Sequence, residues 1–313
     1  MKKISKSMIS DFILGVVLML LTLFAFFLSW GPLETLENSL YDLRANLRVT
    51  SSKAPVAVIA IDEQSIANLG RWPWPRTTIA QMVRKLKQNG AKAVGFDIVF
   101  SEPDINANLK TIDALWAEMK KSGISQPGVI DLLRRKRADA DTDAILAASI
   151  KEAGNVTLGY FFHFARKGSD QDLAHLTAKR IAENARCIEN SRYPMVNSSS
   201  GKPSDAHMPH AFAPEANIPV LSAAGRNSGY FNALPDSDGS NRWSPLVIAF
   251  ENNYYSSLAV SLVWAYLDFP NLSLNLEPFG VNSVTIDDIV IPTNESGQLL
   301  INYMGPPQTF PHY

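Results

Sequence analysis

A chain of 313 residues with 46% hydrophobic content is long enough to bury a sizeable core and too apolar to be intrinsically disordered. Its formal net charge of −1 lacks the positive excess that phosphate backbones select, which argues against nucleic acid as a partner. The single cysteine, Cys187, excludes an intramolecular disulfide but leaves the redox compartment undecided.

An uncharged apolar run occupies residues 12–30 and is preceded by Lys2, Lys3 and Lys6. A helix of this length, at about 1.5 Å per residue, nearly matches a hydrocarbon core about 30 Å thick. The positive-inside rule then predicts a single-pass inner-membrane anchor, with residues 1–11 in the cytoplasm and the main domain in the periplasm or extracellular space. A cleaved signal peptide is the alternative, but the run is longer than an ordinary signal core and no small-residue cleavage site follows it.

Two elements follow the apolar run. Residues 31–54 are expected to form a helix and linker next to the membrane, because leucines recur there at helical spacing. The main domain is expected over residues 55–313. It begins with an apolar hexapeptide at 56–61, which predicts a strand buried on both faces, and Asp62 follows this strand.

A bend rich in tryptophan and proline comes next, with the sequence G-R-W-P-W-P-R at residues 70–76. Its prolines favour extended conformations at Trp72 and Trp74, so both indoles project from a stiff segment. The periodicity then predicts an amphipathic helix over 77–88 and an apolar strand over 91–100. A strand, helix, strand order of this length predicts a parallel pair with a right-handed crossover.

The middle of the chain alternates between charged and apolar segments. Residues 104–141 are charged and helical in pattern, which predicts an insertion between sheet elements. Asp141 or Thr142 would cap the next helix, and Gly154 would end it before a strand at 155–164.

Residues 165–219 are polar and show little pattern beyond a helix predicted at 172–187. His207 and His210 could together hold a transition metal, but no third ligand has suitable spacing. Ordinary surface histidines are the simpler interpretation, so neither a metal site nor a cofactor is predicted.

An Asp-Gly turn at Asp236, Asp238 and Gly239 lies between two apolar segments and predicts a hairpin over 229–250. A calcium loop is not predicted, because apolar residues would occupy positions where such a loop requires carboxylates. The turn is therefore expected to be structural.

A buried helix at 254–267 and strands at 284–291 and 299–303 complete the predicted elements. Together these elements predict an α/β domain with a mixed, largely parallel sheet flanked by helices, preceded by one N-terminal transmembrane helix.

Several motifs recur in a characteristic order along the chain. They are Asp42 with Arg44, Asp62, the run at 70–76, Asp97, and the D-x-D-G-x-x-R pattern of Asp236, Asp238, Gly239 and Arg242. Together they resemble the type-2 CHASE domain, a bacterial extracytoplasmic sensor module, and the resemblance covers residues 33–307. It implies a sensory domain that relays a signal through the membrane to a cyclase, kinase or similar effector, and we expect it to act as a homodimer.

Domains of this family usually continue into a further strand, membrane helices and an effector, whereas this chain stops at Tyr313. A truncated polypeptide and a stand-alone sensor are the two alternatives, and both stay open.

The expected ligand is an unidentified small molecule or another signal of the cell envelope. The six candidate ligand-binding residues are Trp72 and Trp74 as apolar or cation-holding walls, Arg76 and Arg242 as anion-binding groups, and Asp62 and Asp97 as orienting acceptors. In a purely structural alternative the tryptophans anchor the core, Asp62 caps a turn and Arg76 pairs with Asp97.

Two other functions stay open. One is a membrane-tethered scaffold whose aromatic surface binds another envelope protein. The other is a Mg²⁺-dependent hydrolase in which Asp62 and Asp97 hold the metal at the ends of adjacent parallel strands. The sequence has no P-loop, no G-x-G-x-x-G, no G-x-S-x-G and no D-x-D motif after the first strand, so no catalytic residue is predicted and the chain is not expected to be an enzyme.

Overall fold

The computed structural model describes residues 6–27, 31–47, 54–104, 106–164, 176–199, 207–306 and 308–313. These residues form two compact units. The smaller unit contains the described residues up to Asp62 together with Asn302–Tyr313, and the larger unit runs from Glu63 to Ile301. The domain boundaries predicted at residues 11, 30 and 54 stay a prediction.

Two helices, α1 (Lys6–Phe27) and α2 (Gly31–Leu47), open the smaller unit. Among the residues that the structure describes, no helix is long and apolar enough to cross a membrane. The transmembrane helix predicted at 12–30 is therefore not supported, and its residues 28–30 lie outside the described ranges. The helix predicted within 31–54 is present as α2.

The extended segment that precedes Asp62 lies alongside the C-terminal residues within the smaller unit. Val58 forms an isolated parallel bridge with His312, and its amide donates to the carbonyl oxygen of Pro311 at 2.8 Å. The side chain of Val58 is 39% exposed. The predicted strand at 56–61, buried on both faces and followed by a crossover, is therefore wrong. An apolar run favours extended chain, but it does not specify the partner that would bury it.

The larger unit is a mixed α/β structure in which helices flank the sheets, as predicted. The prediction of one largely parallel sheet is wrong, because the described strands form four sheets and five of their eight pairings are antiparallel. The hydrophobic pattern of a strand does not specify its partner or the direction of pairing. The helices of this unit are α3 (Glu63–Leu69), α4 (Arg76–Gln88), α5 (Ala107–Lys121), α6 (Pro127–Ala140), α7 (Thr142–Ala153), α8 (Ala178–Cys187), α9 (Pro219–Ser222) and α10 (Leu258–Tyr266), with a 3₁₀ turn at Glu189–Ser191. Its strands are β1 (Val94–Phe96), β2 (Val156–His163), β3 (Met195–Ser198), β4 (Ala213–Glu215), β5 (Asn227–Tyr230), β6 (Trp243–Pro245), β7 (Val247–Phe250), β8 (Asn253–Ser256), β9 (Leu272–Glu277), β10 (Gly280–Ile286), β11 (Ile289–Pro292) and β12 (Gln298–Leu300).

Strand β2 is the centre of the first sheet. It pairs in parallel with β1 through residues 156–158 and with β5 through residues 157–160, and antiparallel with β4 through residues 161–163. Val156 to Tyr160 are all buried, as expected for a parallel strand covered on both faces. The carboxyl ends of β1, β2 and β5 consequently lie at one edge of this sheet.

The second sheet has the strand order β11–β10–β9–β3, with β3 parallel to β9 and the other pairs antiparallel. A single strand was expected at 284–291, but the chain reverses at Asp287, which has φ +52°, and joins β10 to β11 as a hairpin. Two further ladders pair β6 with β12 and β7 with β8.

The turn predicted at residues 236–239 is present, since the amide of Gly239 donates to the carbonyl oxygen of Asp236 at 2.9 Å and Gly239 has φ +83°. The strands on its two sides do not pair with each other, because β5 pairs with β2 and β6 pairs with β12. The hairpin predicted over 229–250 is therefore wrong. Strand pairing depends on packing with distant segments, which overrides a local turn signal.

Capping signals located α7 correctly. The side chain of Asp141 accepts from the amide of Ala144 at 3.0 Å, and Gly154, with φ +67°, ends α7. The helix predicted from residue 254 starts later, because the first residues of that segment join β8 and Ser257 caps α10.

The remaining helix predictions also hold within the described ranges. The helix predicted at 77–88 is α4, which buries Ile79 and Val83. The insertion predicted at 104–141 consists mainly of α5 and α6. The second part of the helix predicted at 172–187 is α8, and residues 165–175 lie outside the described ranges.

Candidate functional site

The bend between α3 and α4, residues 70–76, carries two tryptophans in different environments. The indole N–H of Trp74 donates to the carbonyl oxygen of Gly70 at 2.8 Å, and only 7% of Trp74 is exposed. Trp72 is half-buried and packs edge to face against Trp74, with ring centroids 5.5 Å apart. Trp74 therefore anchors the bend in the core, and Trp72 remains partly accessible.

Arg76, the first residue of α4, is held by three groups. Its Nε lies 3.1 Å from Oδ1 of Asp143, and its Nη2 donates to the carbonyl oxygen of Glu102 at 3.0 Å. Its guanidinium carbon lies 4.4 Å from the centroid of the Phe100 ring. The pairing of Arg76 with Asp97 in the structural alternative is therefore wrong, because the partner of Arg76 is Asp143 at the start of α7.

Asp104 joins the same network from the segment that follows β1. Its amide donates to Oδ2 of Asp143 at 2.8 Å, and its own Oδ2 accepts from the hydroxyl of Thr142 at 2.8 Å. Oδ2 of Asp104 also lies 3.4 Å from the backbone nitrogen of Arg76. The N-termini of α4 and α7 are thus tied to one loop by charged hydrogen bonds.

A buried asparagine ties the same segment to the central strand. Asn217, only 3% exposed, accepts from the amide of Phe100 at 2.8 Å and donates to the carbonyl oxygen of Gly159 at 2.8 Å. It satisfies backbone groups of two segments where no regular strand pairing joins them. Together with the hydrogen bond from the amide of Ile218 to the carbonyl oxygen of Phe100, this side chain holds in place the ring that packs on Arg76.

These elements line a cavity of about 620 Å³ in the larger unit that is open to solvent. Its described walls are residues 72–76, residues 98–104, Asn106 with Asn108 at the start of α5, and Asp139, Ala140 and Thr142 at the junction of α6 and α7. The cavity lies next to the carboxyl end of β1, at the edge of the sheet where open α/β sheets bind ligands.

The cavity contains three of the six candidate ligand-binding residues, Trp72, Trp74 and Arg76. Asp97 directly follows β1 and is exposed, and it is not among the residues that line the cavity. Asp62 is exposed and belongs to the smaller unit. The role of these residues in ligand binding stays a prediction.

Arg242, the sixth candidate, lies in the turn and not in the cavity wall. It is 4% exposed, and its guanidinium donates to Oδ2 of Asp236 at 2.9 Å and to Oδ2 of Asp238 at 2.9 Å. The hydrogen bond from Arg242, followed by that from the amide of Ser240, lowers the pKa of Asp238 to about 2. The D-x-D-G-x-x-R pattern therefore builds an ion-paired turn in which the guanidinium is already bound by carboxylates.

Asp104, Asp143 and Asn217 were not predicted from the sequence. A signal existed for Asp143, which lies two residues after the helix cap Asp141, where a second acid is favoured by the helix N-terminus. No local pattern marked Asn217, because its importance comes from two backbone groups that are distant in sequence.

The two histidines singled out in the sequence are not part of this site. His207 is exposed, and His210 lies in an isolated bridge with Ala249. In the part of the chain that the structure describes, no group of three histidine, cysteine or acidic side chains is placed to hold a metal ion.

Comparison with known proteins identifies the family. The sequence profile described as the CHASE2 domain matches residues 16–313, which is almost the whole chain. The comparisons with curated proteins and with solved structures found no match. CHASE2 domains are extracellular sensory domains of signalling proteins and are not catalytic. The match confirms the family indicated by the sequence motifs, and this chain belongs to the CHASE2 domain family.

Proposed function

We propose that this chain is the extracytoplasmic sensory input of a signalling protein and that a small ligand binds in the cavity beside residues 70–76. The effector, such as a nucleotide cyclase or a kinase, would be another part of the same protein or a partner. Attachment to the inner membrane rests on the sequence of residues 12–30 alone. A homodimeric state belongs to the same proposal.

The observation that carries the proposal is the cavity itself. Its volume of about 620 Å³ lies within the roughly 300–1,000 Å³ of small-molecule sites. Its walls combine aromatic and aliphatic side chains with polar and charged ones in nearly equal number, so it can contact both an apolar body and a polar or charged group of a ligand.

The walls belong to separate elements, which gives a ligand a way to change the structure. One wall is the start of α4 and another is formed by α5 and the α6–α7 junction. Helices α5 and α6 are joined at the surface by Arg137, whose Nε lies 2.8 Å from Oδ1 of Asp113. A ligand that contacts both walls would favour one arrangement of helices α5 and α6 over another. The size of this shift is set by the difference between the affinities of the ligand for the two arrangements.

The test is a thermal-stability screen of the purified chain against amino acids, amines, sugars, organic acids and nucleotides. A ligand at one hundred times its Kd should stabilise the chain by about 2.7 kcal/mol. Asn108→Trp would fill the cavity from α5, and Thr111→Trp, an exposed position on the same helix outside the cavity wall, is the matched control.

Stabilisation of the wild type and of Thr111→Trp, but not of Asn108→Trp, would support the proposal. A ligand that stabilises all three equally binds elsewhere. If no small molecule stabilises the chain and an envelope protein binds it instead, the scaffold function replaces the sensor.

A further inference from the structure

We infer that the ligand of this cavity is an organic cation, a protonated amine with an apolar body. This inference rests on the proposed function, since it assigns the chemical class of ligand for the same cavity. It follows from the charges that the walls carry and from which of them are already paired.

The positive charge at the cavity wall is already paired with a carboxylate. Arg76 is the one cationic side chain among the described residues that line it. Its guanidinium is bound by Asp143 and by the carbonyl oxygen of Glu102, and one face packs on Phe100. An anionic ligand could reach the remaining N–H groups of Arg76, but the positive charge there is already offset by the carboxylate of Asp143.

The described walls carry three carboxylates, those of Glu102, Asp104 and Asp139. Asp104 uses Oδ2 to bind Thr142 and the start of α4. Glu102 and Asp139 are exposed, and within the described ranges their carboxylates make no hydrogen bond or ion pair. The lining thus has an excess of negative charge, and two of its carboxylates are free to pair with a cation.

The aromatic and aliphatic walls favour an organic cation over a metal ion. Trp72 is half-buried at the cavity wall, and tryptophan is the side chain whose ring best attracts a cation. Pro73, Pro75, Ile98 and Val99 supply apolar surface for the body of the ligand. The free carboxylates belong to different elements, the segment after β1 and the end of α6, which suits an extended molecule.

The test uses phenethylamine with two analogues of similar shape, the neutral phenethyl alcohol and the anionic 3-phenylpropanoate, and hexylamine as a second cation. Binding to the purified chain is measured by calorimetry at two salt concentrations. We expect both amines to bind at least tenfold more tightly than the alcohol and the acid, and to bind less tightly in high salt.

Substitutions test whether the carboxylates of Glu102 and Asp139 and the ring of Trp72 contact the amine. The double variant Glu102→Gln/Asp139→Asn should weaken amine binding about tenfold. Trp72→Leu should weaken it by a factor of about 2–30. The control is Asp131→Asn, an exposed acid of α6 outside the cavity wall, which should leave amine binding unchanged.

The inference is overturned if the alcohol or the acid binds as tightly as phenethylamine, if neither amine binds, or if the double variant behaves like Asp131→Asn. Its failure can be distinguished from failure of the proposed function. The stability screen could yield a neutral or anionic ligand whose binding is lost in Asn108→Trp. That result would support the proposed sensory function and contradict the inference that the ligand is a cation.

Discussion

The Nε atom of Arg76 lies 3.1 Å from Oδ1 of Asp143, and only 12% and 11% of the two side chains are exposed. The residues are 67 positions apart and begin α4 and α7. This pair joins two helix N-termini under the cavity. Arg76 therefore lines the cavity and is at the same time bound by a structural partner, Asp143.

Replacing Asp143 with leucine should destabilise the larger unit by about 3–5 kcal/mol, because the buried guanidinium of Arg76 loses its counter-charge. The measurement is urea-induced unfolding. Asp131→Leu is the control, since its pair with Arg134 is exposed and worth less than about 1 kcal/mol. The double variant Arg76→Met/Asp143→Leu should recover part of the loss, and equal costs for Asp143→Leu and Asp131→Leu would refute the assigned role.

The ion-paired turn should make stability depend on acid pH. Hydrogen bonds from Arg242 and the Ser240 amide lower the pKa of Asp238 from 3.8 to about 2. A depressed pKa in the folded state contributes stability that is present above the unfolded pKa and lost as pH falls through the folded pKa. The difference in stability between wild type and Asp238→Asn should be constant above pH 5 and disappear towards pH 2. Thermal melts across this range would show it, and a difference that grows on acidification contradicts it.

Gly229 should tolerate no side chain. A Cβ atom there would lie 2.6 Å from the Cα atom of Leu258, a backbone atom of α10 that has no room to move. Gly229→Ala should therefore cost about 3 kcal/mol. Gly128, in α6, has open space around its Cβ position, so Gly128→Ala should stabilise by about 0.5 kcal/mol. Unfolding free energies of the two variants give the comparison, and similar values would count against the close approach of β5 and α10.

The aromatic core beneath the first sheet should make the chain sensitive to alkali. Burial raises the pKa of Tyr160 and of Tyr230 well above the ordinary 10.0. A raised folded pKa gives stability that is complete below the unfolded pKa and is lost as pH rises above it. Stability should fall steeply above pH 10, and less steeply in Tyr230→Phe than in the exposed control Tyr266→Phe.

The Tyr230→Phe variant has a second effect that must be separated from the first. The hydroxyl of Tyr230 donates to the carbonyl oxygen of Pro245 at 2.8 Å, so its removal should cost about 1–3 kcal/mol at neutral pH as well. The slope of stability against pH, measured above pH 10, isolates the titration. Identical slopes in both variants would exclude Tyr230 as its source.

Local chemistry was sufficient to predict much of the larger unit. Asp141 and Gly154 bounded α7, the spacing of Ile79 and Val83 predicted the buried face of α4, and the tryptophans marked one wall of the cavity. The family was also indicated by motifs in the sequence and confirmed by comparison. These successes share a cause, since caps, helical periodicity and short motifs depend on residues a few positions apart.

The tertiary structure alone decided the rest. It paired Arg76 with Asp143, β5 with β2, and Val58 with His312, and it showed Arg242 bound within its own turn. The sequence by itself determined where chain segments become helical, where they turn and which family they belong to. It could not determine which distant segments meet, because a strand or a charge is compatible with many partners until packing removes all but one.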